Sequence, residues 1–373
     1  MDCNQQEKKF DCHPKMIQMK NLLLLIGFSV ISVFTFAQWE WQNPLPQGNQ
    51  LNSVVFTDAS HGYTVGDHGT ILKTINGGAT WTIKQSGTIF NLQSVFFTGA
   101  STGYAAGDYG VILKTSDGGE TWNSLYSGTV YNLTSVFFND SSTGFVVGGD
   151  FSNGFIMKTD DGGATWNTYQ GGSFCWLTSI YFPNSNTGYA VGCSFVYKTI
   201  NGGTSWSPYL VAPGENLRSV FFTDQNTGYV VGDYGAFYKT INGGTNWTVL
   251  EVWTNYNLTS VYFTDMSTGF AVGSTETGFD GIILKTVDEG TIWTVISNPI
   301  GLNSVHFSSP GTGYAVGYFG NIILTANGGS NWVDQSSSVT NWYISSVFFT
   351  DFSFKVLRNL TIRGQYSYAS CFM

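Results

Sequence analysis

Charge is scarce in this chain. Asp, Glu, Lys and Arg together make up 10% of its 373 residues, and arginine is confined to Arg218, Arg358 and Arg363. At a net charge of -9, so little arginine argues against nucleic acid or an anionic membrane as a partner. Histidine is nearly as rare. Beyond the N-terminal stretch only His61, His68 and His306 occur, at no metal-ligand spacing. No Gly-x-Ser-x-Gly elbow and no phosphate-binding loop is present, so no cofactor is implied. No segment carries the apolar period of a helix. What the chain does have is glycine, 46 residues of it, and aromatics at 16%. That profile suits many short strands joined by tight turns, and its apolar content is ample for a core.

Residues 1–37 read as a leader with a signal peptide. Lys20 precedes an apolar run from Leu22 to Phe36, and Thr35-Phe36-Ala37 places small residues around a cleavage site after Ala37. The run is short for a membrane span, which takes about 20 apolar residues. The expectation is an exported protein, secreted, periplasmic or at the cell surface, that begins near Gln38 and has no stable membrane insertion. A retained anchor is the alternative, and Met16 or Met19 is an alternative start. Export leaves three cysteines, Cys175, Cys193 and Cys371, and permits a disulfide.

One phrase organises the rest. Lys73-Thr74-Ile75-Asn76-Gly77-Gly78-Ala79-Thr80-Trp81 returns as Lys114-Thr115-Ser116-Asp117-Gly118-Gly119-Glu120-Thr121-Trp122, and then five more times. The turn residue is Asn76, Asp117, Asp161, Asn201, Asn242, Asp288 and Asn327 in turn. The tryptophan is Trp81, Trp122, Trp166, Trp206, Trp247, Trp293 and Trp332. A period near 42 residues marks an array of repeated units.

Each unit reads as four strands. In residues 92–126, strand a is Leu92–Phe97, strand b Gly103–Gly107, strand c Val111–Thr115 and strand d Thr121–Tyr126, with turns at Asp108-Tyr109-Gly110 and Asp117-Gly118-Gly119. Four antiparallel strands per unit of this length is the arithmetic of a β-propeller blade. Asn or Asp before Gly suits a hairpin that needs positive φ, and the tryptophan supplies an apolar body to lock it.

The phrase Thr-x-Asn/Asp-Gly-Gly-x-Thr-Trp resembles the Asp-box of sialidase-type (BNR) repeats. Combined with Leu-x-Ser-Val-x-Phe and Thr-Gly-Tyr-x-Val-Gly, it resembles more closely the repeats of photosystem II stability/assembly factors, over roughly residues 39–349. That resemblance implies a seven-bladed propeller acting as a non-catalytic assembly factor. Sialidase chemistry, as the Asp-box resemblance would imply it, requires an arginine triad that Arg218 alone cannot supply.

The all-β expectation is therefore a propeller over residues 38–349, of seven blades with overlapping end strands or of eight. The extra strands are Trp39–Gln42 and Ile344–Phe349. Residues 350–373 lack repeat grammar and read as a degenerate closing blade or as a truncated or frame-shifted end. Blade six has Glu289 in place of the first turn glycine, so its turn must change type or carry strain. In blade four, Cys175 precedes strand a and Cys193 ends strand b, so antiparallel pairing brings them together, as a disulfide or as two buried thiols.

Asp67, Asp108 and Asp233 recur after the strand-b glycine, as does Asp150. Recurrence favours a turn role over catalysis; a glycosidase would need two carboxylates about 5–9 Å apart. The sequons at Asn132 and Asn257 read as incidental. The d–a and b–c connections share one face of a propeller and vary between blades. They hold Tyr109, Asp150, Phe151, Trp176, Tyr234, Trp253, Asp280 and Trp342, a candidate binding face for a protein partner, or alternatively a glycan. The reading is an exported non-catalytic scaffold, with a glycan-binding protein or Asp-box glycoside hydrolase as the alternative.

Overall fold

In the computed structural model, which describes residues 48–150 and 153–335, the chain forms seven four-stranded antiparallel sheets, each of four consecutive strands. Blade 1 consists of Leu51–Phe56, Gly62–Gly66, Ile71–Thr74 and Thr82–Lys84, and blade 7 of Leu302–Phe307, Gly313–Gly317, Ile322–Thr325 and Val333–Asp334. Strand a is innermost, and each strand a packs on that of the next blade, blade 7 on blade 1 included. The ring closes at seven, which excludes an eighth blade between them. Trp39–Gln42, Ile344–Phe349 and residues 350–373 lie outside the described residues, as does the leader.

The cores lie between blades. Each apolar cluster joins successive units, as where Tyr63, Val65 and Ile71 of blade 1 meet Leu92, Val95 and Trp122 of blade 2. A single blade buries neither face alone; the ring does it for all of them.

Three repeated contacts explain the repeat grammar. First, the serine of Leu-x-Ser-Val accepts a hydrogen bond from a backbone N–H of the next strand a, as from Val95 to Ser53 and from Val136 to Ser94. The same bond runs from Val54 to Ser304 across the closure. These serines satisfy the inner edge that a sheet otherwise leaves open. Second, the strand-b aromatic stacks on the next blade's strand-a phenylalanine, at 4.0 Å for Tyr63 on Phe97 and 3.8 Å for Tyr314 on Phe56. That phenylalanine meets its own tryptophan edge-on, as Phe97 meets Trp122 at 6.0 Å. Such aromatic pairs contribute about 0.5–1.5 kcal/mol each beyond area burial.

The third contact involves the Asp-box. Thr115 Oγ1 donates to Asp117 Oδ1 and accepts from Gly119 N, while Thr121 donates to Asp117 through both its N–H and its hydroxyl. The hydrogen bonds from Thr121 are the main reason the Asp117 carboxyl lies well below the usual carboxylate range. The turn is also an inter-blade joint: Tyr63 OH donates to Gly118 O at 2.8 Å, and Tyr104 OH to Gly162 O at 2.9 Å. A Cβ on Gly119 would sit 2.6 Å from the Tyr63 ring, and one on Gly78 2.8 Å from Tyr314. The second glycine is required by the neighbouring blade as well as by its φ near +80°. The first glycine has more room, with 3.2 Å from Gly118 to Ala100 O. Accordingly, Glu289 takes the first position in blade 6 and keeps φ at 61°, so the turn carries strain and does not change type.

The tryptophans serve as apolar bodies. Trp206 and Trp293 donate their indole N–H to Gly203 O and Gly290 O, whereas Trp81, Trp122, Trp166, Trp247 and Trp332 find no acceptor for theirs among the described residues.

Candidate binding face

The a–b and c–d turns share one face, tied by bonds such as Gly77 N to Ser60 O and Gly118 N to Ser101 O. The lysines cluster toward this face. Lys114 and Lys198 donate to Gly162 O and Gly243 O, and Lys73 and Lys84 pair with Glu120.

The other face is built from b–c turns clasped to strand a. Asp67 accepts from Asn52, Asp108 from Asn91 and Gln93, and Asp233 from Asn216 and Arg218. These recurring aspartates thus help to hold the end of strand b. Asp150 instead caps its own turn, accepting from Asn153 N at 2.8 Å. Asp280 and Glu276 are exposed in the b–c connection of blade 6.

After each clasp, and after Tyr318 at the same place in blade 7, the next residue enters the left-handed region. His68, Tyr109, Tyr234 and Phe319 have φ of 55° to 57°. Gly110, at φ 73°, supplies positive φ there, and Tyr109 does so as well. The following blade holds the strained residue, because Asn91, Asn132 and Asn257 accept the N–H of His68, Tyr109 and Tyr234. The two sequon asparagines are therefore turn caps.

Tyr109 and Tyr234 are 63% and 62% exposed, and Trp253, itself at φ 44°, is 90% exposed. Phe90 packs on Tyr109 at 4.6 Å, and Phe279 on Phe319 at 5.5 Å. Ile89 and Val130, 79% and 76% exposed, extend the apolar surface. The sequence reading missed them, although Ser86-Gly87-Thr88-Ile89-Phe90-Asn91 recurs as Ser127-Gly128-Thr129-Val130-Tyr131-Asn132. Trp176 is half-buried beside strand a of blade 4. Phe151 and Trp342 lie outside the described residues.

Side chains of the innermost strands form a collar of neighbouring rings. Position five of strand a holds Val55, Phe96, Phe137, Tyr181, Phe221, Tyr262 and His306, and successive rings from Phe96 to His306 lie 5.0–5.5 Å apart. Burial pushes the His306 imidazole down to about 4. None of these seven collar positions is a carboxylate. Among the described residues no group of three or more His, Cys, Asp or Glu could hold a metal ion.

Seven four-stranded blades, joined through Asn/Asp-Gly-Gly turns and, in blade 6, through Asp288-Glu289-Gly290, define an Asp-box β-propeller. The model of the family described as photosynthesis system II assembly factor YCF48 matches residues 31–130, 125–249 and 210–300. This chain belongs to that family. No curated protein sequence matches it. Among solved structures, YCF48 bound to D1 peptide is 21% identical over 78% of this chain and 96% of that one, with a TM-score of 0.63. YCF48 from Cyanidioschyzon merolae is 19% identical over 77% and 99%, with a TM-score of 0.60. The GH74 enzyme of Niastella koreensis is 17% identical over 77% of this chain and 54% of its own length, with a TM-score of 0.64. At these identities the likeness is one of fold.

Proposed function

We propose that this chain is an exported, non-catalytic propeller that binds a protein partner, or assists assembly of a complex, through its d–a and b–c face. One observation carries the reading: bulky, exposed aromatics occupy left-handed backbone at Tyr109, Tyr234 and Trp253. Left-handed backbone costs an L-residue roughly 1–2 kcal/mol, and a turn that only reversed the chain would use glycine or asparagine. Exposed rings return little of that cost through their own fold, whereas rings of this kind are favoured anchors at protein interfaces. Family membership supports the assembly role, as does the likeness to a propeller with a bound peptide.

A glycan-active role is the second reading, favoured by the same exposed aromatics, by Asp150 and Asp280 in the b–c connections, and by the fold shared with the GH74 enzyme. Against it, Asp67, Asp108 and Asp233 take part in clasps, and none of the seven collar positions is a carboxylate. Reducing-end release from xyloglucan and other β-glucans by the purified full chain tests the choice. No release is expected; hydrolysis abolished by Asp150→Asn or Asp280→Asn would overturn the non-catalytic reading.

A further inference from the structure

Blade 4 lacks the aspartate clasp of blades 1, 2 and 5. In blades 1, 2 and 5 an aspartate follows the last strand-b glycine and is tied to strand a by Asn52, by Asn91 and Gln93, or by Asn216 and Arg218. In blade 4 that position is Cys193, and the residue equivalent to Asn52, Thr178, donates instead to Val191 O and Leu217 O. No polar side chain from strand a reaches the turn in its place.

The backbone brings Cys175 to Cys193. Ser179 pairs with Val191, and Thr178 N donates to Val191 O. A Cβ on Gly192 would lie 2.1 Å from Trp176 O, so the two chains touch one residue inside each cysteine. Both cysteines are free and half-buried in this structure; Cys175 Sγ donates to Trp176 O at 3.8 Å, and Cys193 is close enough to help raise the Cys175 thiol. Cys193 also has φ at 45°, a left-handed conformation that its side chain disfavours. The shorter turn and its strain aim this thiol at the strand-a end.

We propose that Cys175 and Cys193 form a reversible disulfide that replaces, in blade 4, the aspartate clasp of blades 1, 2 and 5. The bond staples the d–a connection to the b–c turn on the candidate binding face. Burial, and then the neighbouring Cys193, push the Cys175 thiol up to about 12. With a low-molecular-weight disulfide such as oxidised glutathione as oxidant, the Cys193 thiolate attacks one sulfur and releases one glutathione thiolate. Cys175 then gives up its proton and attacks Cys193 Sγ in the mixed disulfide, releasing the second glutathione. Two electrons and two protons pass from the protein thiols to glutathione.

The test is peptide mapping of the full chain, alkylated without reduction after equilibration in glutathione buffers from fully reduced to fully oxidised. The expected result is one linked peptide pair carrying Cys175 and Cys193, two hydrogens lighter than the dithiol. Cys175→Ser should trap a glutathione adduct on Cys193. Oxidised wild type should melt a few degrees above reduced wild type, and both serine variants should show no such shift. Alkylation of both cysteines in fully oxidised buffer would overturn the proposal, as would linkage of either one to Cys371.

Discussion

The double glycine of the Asp-box offers a sharp internal comparison. Gly118 and Gly119 are adjacent, with φ of 68° and 77°, so alanine at either carries a similar backbone cost of roughly 1–2 kcal/mol. They differ in what the new methyl meets. At 118 the nearest atom is Ala100 O at 3.2 Å, which a small shift relieves. At 119 the methyl would lie 2.6 Å from Tyr63 Cε1 and 3.1 Å from Cδ1. Tyr63 cannot retreat, since its ring is buried, stacked on Phe97 and held by its hydroxyl on Gly118 O. Overpacking of this kind adds about 1–3 kcal/mol. Gly118→Ala should therefore cost about 1–2 kcal/mol and Gly119→Ala about 2–5 kcal/mol, read as urea midpoints by tryptophan fluorescence at unchanged slope. Adding Tyr63→Ala to Gly119→Ala should give a loss smaller than the sum of the single losses. Equal costs at the two positions, or additive losses in the double variant, would refute the inter-blade joint.

Further outcomes follow from the contacts between blades. Glu289→Gly should raise stability by about 0.5–1 kcal/mol in denaturant titration, because glycine removes the left-handed strain of blade 6 while the carbonyl still accepts from Tyr229 and Lys239. Tyr63→Phe should cost about 1–2 kcal/mol, since Lys73 is turned to Glu120 and Gly118 O loses its tyrosine donor. Tyr104→Phe should cost less, about 0.5 kcal/mol, because Lys114 still donates to Gly162 O. His306 is held neutral by burial at about 4, below its ordinary 6.5. Its contribution to stability is present above pH 6.5 and lost as pH falls toward 4, so His306→Phe should flatten the urea midpoint across that window.

The fold was legible because each repeated residue has a local or nearest-neighbour task. The serine of strand a, the strand-b tyrosine and the Asn/Asp-Gly-Gly turn recur at one period, and their partners recur with them. Their inter-blade character was not legible. Nothing in a single repeat says that Gly119 is pressed by a ring from blade 1, because that contact spans more than 50 residues. The ring size was left between seven and eight, and contact between the first and last blades decided it. The candidate face was legible only in part. Tyr109, Tyr234 and Trp253 were named from variable loops, but the left-handed backbone beneath them cannot be read from residue type, since large side chains rarely adopt it. The aspartates read as turn residues are clasps to strand a, with partners as ordinary as Asn52 and Gln93.

The central claim is that partners are bound on the face opposite the Asp-box turns. It is tested most directly by comparing two variants of the full chain in affinity capture from the native envelope fraction. One carries Tyr109→Ala, Tyr234→Ala and Trp253→Ala; the other carries Ile75→Ala, Ile200→Ala and Ile241→Ala, exposed residues of the Asp-box turns. Both sets leave the inter-blade joints intact, and melting curves verify folding. The account predicts that a protein retained by the wild type is lost from the first variant and kept by the second. Loss from the Asp-box variant with retention by the aromatic one would contradict it.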